Sequence, residues 1–264
     1  MTAVNTLRLF IDPPSFGAWN MAVDEALLLD AAYQGVATLR FYQWSEPTLS
    51  LGYFQRFADR EQHAASRKCA IVRRPTGGGA ILHDRELTYS VTLPAGHPFA
   101  GHTEKLYTAV HEAFIGALTP MLANHQFGWN LKRRDCDSTP KSGDEPFLCF
   151  QRRAPGDVVL SSSADNSGGN CKILGSAQRR HRGAVLQHGS LLLEKSPAAP
   201  ELPGLNDVTG HALAADKITA AVSVHFSGHF GARLINSGLS FELELKSCEL
   251  ANNKYGSPTW THRR

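Results

Sequence analysis

The order of helical and strand-like segments is the feature of this 264-residue sequence that most restricts its fold. Residues 20–29 and 102–124 have helical periodicity: Ala22, Ala26 and Leu29 share one face of the first stretch, and apolar side chains recur every four positions in the second. Shorter runs with the composition of strands cover residues 38–42, 49–54, 71–74, 80–82, 88–93, 172–178 and 184–193. Because strands and helices do not alternate regularly, the pattern predicts an α+β fold with a central, largely antiparallel mixed sheet flanked by helices.

The segments between these elements complete the predicted organisation. Residues 135–145 are polar and contain Pro, Gly and Ser, which is typical of an exposed loop. Residues 161–170 (SSSADNSGGN) have low complexity and are predicted to form a flexible hairpin tip. Residues 195–207 are a Pro-rich connection, and residues 216–235 are predicted to form one last helix. In the first helix, the acidic pair at 24–25 is predicted to lie near the N-terminal end, where the helix dipole favours it.

The composition argues against several classes of protein. A formal net charge of +3, from 27 basic and 24 acidic residues, is too small to indicate a nucleic-acid partner. No apolar run approaches the roughly 20 residues that a membrane helix needs, and no signal peptide is evident at the start. The cysteines are an odd number, widely spread and without a CxxC pair: Cys69, Cys136, Cys149, Cys171 and Cys248. We therefore expect a cytoplasmic protein with reduced thiols, no disulfide framework and no metal site.

Four short segments carry the most specific signal in the sequence. They are residues 20–25 (NMAVDE), 73–84 (RRPTGGGAILHD), 172–178 (KILGSAQ) and 186–192 (LQHGSLL). In this order and spacing they resemble the catalytic domain shared by lipoate-protein ligases, octanoyltransferases and, more distantly, biotin-protein ligases. Each motif alone is modest, but four in sequence are hard to obtain by chance.

The resemblance covers residues 15–235, which is most of the chain. It implies a single domain over residues 1–264, made of a catalytic core of the lipoate/biotin-protein ligase type and a C-terminal tail at residues 236–264. It also implies an acyl-binding pocket formed by motif residues. These are Arg74, Gly77, Gly78, Gly79, His83, Gly175, Ser176, Ala177, His188 and Gly189.

The glycine triplet at residues 77–79 also has a meaning independent of the resemblance. Glycines let the backbone approach a ligand closely and take a positive φ, although the triplet alone would favour a flexible hairpin turn. It has the spacing of neither a P-loop nor a dinucleotide-binding motif. The adjacent His83 and Asp84 suggest a pair of metal ligands, but a histidine oriented by hydrogen bonds in the pocket wall is the favoured interpretation.

Lys172 and Cys149 are the predicted catalytic residues. A lone lysine is usually a solvated charge, but the resemblance implies that Lys172 faces the acyl carbonyl, where a cation binds the developing oxyanion and favours a neighbouring thiolate. Cys149-Phe150 resembles the cysteine-dependent octanoyltransferases of the Gram-positive type, whereas ligases tend to have a polar Arg-Asn-Asp-like stretch there. Taken alone, Cys149 would be a buried structural cysteine. The flanking motifs favour a nucleophile that forms an acyl thioester.

Two features near Lys172 depart from the expected pattern. Lys172 follows Cys149 by 172 − 149 = 23 positions, which is longer than the family leads us to expect, and we interpret residues 161–170 as an insertion. Cys171 adjoins Lys172, but in a strand their side chains would point to opposite faces. Cys171 is therefore the second choice for the nucleophile.

Several functions remain open on the sequence alone. The favoured one is transfer of octanoyl from acyl carrier protein through Cys149 to a lysine of a lipoyl domain, in the glycine cleavage H protein or the E2 subunits of 2-oxoacid dehydrogenases. It needs no cofactor. The alternatives are an ATP- and magnesium-dependent lipoate ligase, an amidotransferase between lipoyl domains, and a non-catalytic binder of acyl groups or lipoyl domains. We expect a monomer that binds neither nucleic acid nor membrane.

Overall fold

The computed structural model describes residues 5–123, 128–134, 146–162 and 171–264. Cys136, the predicted loop at residues 135–145 and most of the predicted hairpin tip lie outside these ranges. The strands in the described part are β1 (Asn5–Ile11), β2 (Thr38–Tyr42), β3 (Thr48–Leu51), β4 (Ala70–Arg73), β5 (Ile81–His83), β6 (Glu86–Leu93), β7 (Trp129–Arg133), β8 (Val158–Ser162), β9 (Cys171–His181), β10 (Ala184–Leu192) and β11 (Ala232–Asn236). The helices are α1 (Gly17–Gln34), α2 (Thr103–Leu122), α3 (Leu205–Thr209), α4 (Ala215–Phe230), α5 (Phe241–Leu250) and α6 (Pro258–Thr261).

Eight of the strands form one mixed sheet in the order β11-β1-β2-β6-β10-β9-β8-β7. The pairs β11–β1 and β1–β2 are parallel, and every other neighbouring pair in this sheet is antiparallel. A second, three-stranded sheet has the order β4-β3-β5 and carries the glycine triplet between β4 and β5. The α+β prediction, with a largely antiparallel central sheet, is therefore confirmed.

The helices cover both faces of the main sheet. The predicted four-residue repeat of α2 is buried against one face, together with apolar residues of α4; the repeat consists of Leu106, Val110, Phe114 and Leu118. Helix α1 packs on the opposite face, where Leu28 and Ala31 contact Ala184 and Leu186 of β10. The residue between these two, Val185, belongs to the α2 side, as the alternation of side chains along a strand requires. The site described below lies on the α1 side.

The predicted helix over residues 216–235 is wrong in its last five residues. Helix α4 ends at Phe230, and Gly231 has a φ of 54°, the left-handed conformation in which glycine commonly ends helices. The chain then continues as β11, which pairs in parallel with β1 at the edge of the sheet. Strands β1 and β7 and the short helix α3 were also not predicted, and α3 begins inside the stretch expected to be a Pro-rich connection.

The segment after β11 packs on the core through polar contacts. Helix α5 begins after Ser240, whose hydroxyl accepts a hydrogen bond from the amide of Leu243. The guanidinium of Arg73, at the end of β4, donates to the carbonyl of Thr261 over 3.0 and 2.8 Å, and the indole of Trp260 donates to the carbonyl of Arg73 over 2.8 Å. The C-terminal helices therefore support the strand that leads into the glycine triplet. None of the helices in the described part combines the length and the apolar character needed to cross a bilayer.

Candidate active site

A small cleft opens between α1, the glycine triplet and the central strands. Its apolar lining comes mainly from Met21, Tyr42, Ile81 and Phe150. Ten of the twelve residues predicted for the site line it. They are Arg74, Gly77, Gly78, His83, Cys149, Gly175, Ser176, Ala177, His188 and Gly189.

Cys149 is held at the cleft by backbone hydrogen bonds to the strand that follows the glycine triplet. Its amide donates to the carbonyl of Ala80 over 2.7 Å, and the amide of Ala80 donates to the carbonyl of Phe147 over 3.0 Å. Cys149 begins a single 3₁₀ turn, so its side chain is at the start of a short rigid element. Cys149 is partly exposed and lines the cleft, where a substrate can reach it.

Lys172 directs its ammonium at the cysteine. Its Nζ lies 3.8 Å from Cys149 Sγ and 3.3 Å from the Cys149 carbonyl oxygen. The same Nζ forms an ion pair of 2.9 Å with Oδ2 of Asp157, and the two side chains are only 3% and 2% exposed. A buried ammonium requires such a partner, because an unpaired charge would lose its hydration without compensation. Asp157 therefore fixes the position of Lys172 beside the sulfur.

The neighbours of this pair explain two features of the sequence. A Cβ at Gly175 would lie 2.6 Å from Cε and 2.9 Å from Nζ of Lys172, so only glycine lets the lysine side chain pass. The hydroxyl of Tyr107 donates to Oδ1 of Asp157 over 3.0 Å, and the amide of Ala154 donates to Oδ2 over 2.7 Å. The lysine motif and α2 thus orient one carboxylate together.

Arg74 organises the glycine triplet from behind. Its Nη2 donates to the carbonyls of Gly77 and Gly79, both over 2.7 Å, and its Nη1 donates to the carbonyl of Ser50 over 2.9 Å. Gly78, between them, has a φ of 95°, which a side chain would strain. Burial lowers the pKa of Arg74 to about 10, although a negative charge on Cys149 acts in the opposite direction. Arg74 and Cys149 both line the cleft, so the guanidinium adds positive charge to the wall that carries the thiol.

His188 links β10 to helix α1 and to the glycine triplet. Its Nδ1 lies 2.9 Å from Oδ2 of Asp24, and its Nε2 lies 2.7 Å from the hydroxyl of Thr76. Asp24 is fully buried and also forms an ion pair of 2.8 Å with Arg40. Burial alone would raise the pKa of Asp24, but the hydrogen bond with His188 and the charge of Arg40 outweigh it and lower that pKa. Asp24 is therefore held as a carboxylate.

This position of Asp24 corrects the interpretation based on the helix dipole. Helix α1 begins at Gly17, so Asp24 lies about two turns inside it and faces the sheet. Glu25 also lies beyond the first turn, where its carboxylate binds the ammonium of Lys254 at 2.6 Å.

His83 is oriented by hydrogen bonds in the cleft wall. Its Nδ1 lies 2.7 Å from Oε1 of the buried Glu86, and its ring stacks on Trp44 with 3.9 Å between centroids. Burial lowers the pKa of His83, in spite of the opposing charge of Glu86. Asp84 points elsewhere and accepts a hydrogen bond from Ser196. Within the described ranges, no group of three or more His, Cys, Asp or Glu side chains is arranged to hold a metal ion.

Ser176 borders the cleft, but its side chain points to the α2 side of the sheet. Its hydroxyl lies 2.6 Å from the hydroxyl of Tyr89 and 2.7 Å from Nε2 of His111, whose Nδ1 lies 2.8 Å from the carbonyl oxygen of Gly156. Burial lowers the pKa of His111 to about 3, so this ring is neutral. The network connects β9 to the residue that precedes Asp157.

The remaining predicted residues take different positions. Lys172 reaches Cys149 but does not itself line the cleft. Gly79 lies behind the cleft wall, where a Cβ would come within 3.0 Å of the Arg152 side chain. Cys171 packs partly against the main core, and its thiol lies 3.6 Å from the carbonyl of Pro203. Burial raises the pKa of Cys171, which disfavours the thiolate that a nucleophile needs.

The sequence interpretation missed the groups that hold the predicted residues. Asp157, Asp24, Arg40, Tyr107 and His111 make the contacts described above but were not assigned to the site. One signal was present for Asp157, because an acidic residue beginning an apolar strand needs a buried cation. The others come from elements whose contact depends on the tertiary fold.

An apolar cleft with a cysteine in its wall and a lysine ammonium beside the sulfur has the groups that covalent acyl transfer needs, and it places the protein in the class of acyltransferases. The family model described as the lipoyl protein ligase A/B catalytic domain matches residues 17–201, and the chain belongs to this family.

Individual relatives agree with this assignment. Octanoyltransferase LipM of Kyrpidia tusciae is 32% identical over 287 aligned positions, which cover 99% of this chain and 100% of that protein. Octanoyltransferase LipM of Carboxydothermus hydrogenoformans is 33% identical and covers 96% of this chain and 98% of its own. A solved structure of lipoate-protein ligase A bound with ATP has a TM-score of 0.72 at 19% identity, over 97% of this chain and 98% of that one. This likeness confirms the predicted fold type.

Proposed function

We propose that this protein is an octanoyltransferase of protein lipoylation, which carries the acyl group as a thioester on Cys149. The observation that carries the proposal is the distance of 3.8 Å between Lys172 Nζ and Cys149 Sγ, beside an apolar cleft. The relatives named octanoyltransferase LipM support the same activity. An ammonium at this distance stabilises a thiolate, and Cys149 lines a cleft whose apolar wall suits an acyl chain.

In the first step, the thiolate of Cys149 attacks the carbonyl carbon of a donor thioester. The donor sulfur leaves as a thiolate and takes up a proton, and the acyl group remains on Sγ. Negative charge builds on the carbonyl oxygen, and the buried ammonium of Lys172, 3.8 Å from Sγ, can stabilise it. The exchange of one thioester for another needs no ATP, and we propose acyl carrier protein as the donor.

In the second step, the neutral amine of an acceptor lysine attacks the acyl carbon on Cys149. The Sγ–carbon bond breaks, Cys149 leaves as a thiolate, and the amine loses a proton as the amide forms. The ammonium of Lys172 again stabilises the departing thiolate. We propose lipoyl domains as acceptors, in the glycine cleavage H protein or the E2 subunits of 2-oxoacid dehydrogenases, and a monomeric enzyme that acts in the cytoplasm without a cofactor.

The test is acylation of the purified protein by octanoyl-acyl carrier protein in the absence of ATP. We expect a hydroxylamine-sensitive octanoyl adduct, detected by intact-protein mass spectrometry, that is absent in Cys149→Ala. The matched control is Cys171→Ala, which should retain the adduct. An adduct that persists in Cys149→Ala would contradict the proposed nucleophile. Strict dependence on ATP, magnesium and free octanoate or lipoate would identify a ligase instead, and no reaction under either condition would indicate a non-catalytic binder.

A further inference from the structure

A group of arginines surrounds two aromatic rings on the surface beside the glycine triplet. The guanidinium carbons of Arg263 and Arg179 lie 4.2 and 5.3 Å from the ring centroid of Tyr53, and that of Arg264 lies 5.4 Å from the ring centroid of Phe54. The Phe54 side chain is prominent, because the residue is 66% exposed. We call these five residues the arginine patch.

The arginine patch lies at the mouth of the cleft. The amide of Tyr53 donates to the carbonyl of Thr76 over 2.8 Å, and the Phe54 ring lies 3.8 Å from the place that a Cβ would take at Gly77, a lining residue. Arg179 follows the lining residue Ala177 by two positions in β9 and therefore projects from the same face of the sheet. The arginine patch therefore borders the side of the cleft that the glycine triplet forms.

Two of the three guanidinium groups in the arginine patch lack a carboxylate partner in the described part of the chain. Among the residues that the structure describes, neither Arg179 nor Arg263 forms an ion pair with a carboxylate, whereas the nearby Arg56 pairs with Asp59. The pKa of Tyr53 is lowered, mainly by a hydrogen bond from Arg263 and also by the charges of Arg263 and Arg179. Guanidinium groups held on an aromatic ring are well suited to bind phosphate or carboxylate oxygens in pairs.

The size of the cleft indicates what binds there. The cleft is small and its lining is mostly apolar, so it suits an acyl chain but not a folded protein, and a protein that carries the acyl group must stay at the mouth. We propose that the arginine patch docks the donor, an acidic acyl carrier protein whose thioester arm is attached through a phosphate. This inference rests on the proposed function and names the surface that selects its donor.

The test compares octanoyl donors that differ in what they present at the mouth. The rate constant for acylation of Cys149 is measured with octanoyl-acyl carrier protein, octanoyl-phosphopantetheine and octanoyl-pantetheine, for wild type and for Arg179→Gln/Arg263→Gln. With the carrier protein, we expect the acylation rate constant of the double variant to be about tenfold below that of wild type. Raising the salt concentration should reduce the rate constant of the double variant less than that of wild type. With octanoyl-pantetheine, which has neither phosphate nor protein, its rate should equal that of wild type.

A matched control is Arg233→Gln, an exposed arginine on the edge strand β11, far from β9 in the order of the main sheet. It should behave as wild type with all three donors. If the double variant also loses rate with octanoyl-phosphopantetheine, the arginines contact the phosphate. If it keeps the wild-type rate with that donor, they contact acidic side chains of the carrier protein. Both outcomes support docking of the donor. Wild-type rates with the carrier protein, an equal loss with octanoyl-pantetheine, or a loss confined to transfer from Cys149 to a lipoyl domain would overturn the inference. If no donor acylates the wild type, the proposed function fails, whatever the variants do.

Discussion

Lys172 and Asp157 form a buried ion pair, with 2.9 Å between Nζ and Oδ2, at one side of the candidate nucleophile. A pair of this kind contributes little net stability, because each charge loses its hydration on burial. Its effect is positional: the carboxylate holds the ammonium where its other close contacts are the sulfur and carbonyl of Cys149. Breaking the pair should therefore affect both stability and acylation.

Asp157→Asn is expected to lower the free energy of unfolding by about 3–5 kcal/mol, since it leaves a buried ammonium without its counter-ion. Acylation of Cys149 should slow as well, because the amide no longer holds Lys172. Urea denaturation and single-turnover acylation measure the two effects. The double variant Asp157→Asn/Lys172→Met removes both charges and should regain most of the stability without acylation.

The control for this prediction is Glu249→Gln in the exposed pair with Lys246, which should cost less than about 1 kcal/mol. An Asp157→Asn variant that is acylated at the wild-type rate would show that Lys172 does not need its carboxylate partner.

Gly175→Ala tests the path of the Lys172 side chain. A Cβ there would lie 2.6 Å from Cε of Lys172, so the ammonium must move away from Cys149. A displacement of about 1 Å at a reacting group reduces rates on the order of 100-fold, and we expect a loss of that size in the acylation rate. The matched substitution Gly228→Ala, in α4, meets no atom within 4 Å and should leave acylation unchanged while raising helix stability by up to about 1 kcal/mol. Normal acylation of Gly175→Ala would refute the tight packing of this lysine.

The buried His111 predicts how stability depends on pH. Burial lowers its pKa from 6.5 to about 3 in the folded protein, so the unfolded chain binds a proton at this site more readily. The corresponding stability is complete above pH 6.5 and is lost as the pH falls toward about 3, by up to about 1.4 kcal/mol per pH unit. Urea midpoints measured between pH 7 and pH 5 should fall less steeply in His111→Gln. His229→Gln, at an exposed position, should keep the wild-type slope. Parallel slopes for His111→Gln and wild type would contradict this assignment.

The periodic elements of the fold were accessible from the sequence because their signals are local. The repeat in α2 and the run at residues 38–42 follow from apolar spacing, and both are found within two residues of their predicted bounds. The helix predicted to reach residue 235 failed for the opposite reason. The glycine at residue 231 was a possible stop signal, but β11 exists only because β1 offers it an edge to pair with. Strands whose paired residues are 227 positions apart in the chain give no local signal in the sequence.

For the site, the sequence by itself determined the reactive groups: the thiol at residue 149, the ammonium at residue 172 and the glycines that leave room around them. These identities are chemical and local, since a nucleophile, a cation and a missing Cβ are each the property of one residue. The tertiary structure alone decided how they are held. Asp157 lies directly before β8, and Asp24 and His111 come from two helices on opposite faces of the sheet. Their effect depends on burial and on distances of about 3 Å, and only the packed fold sets these.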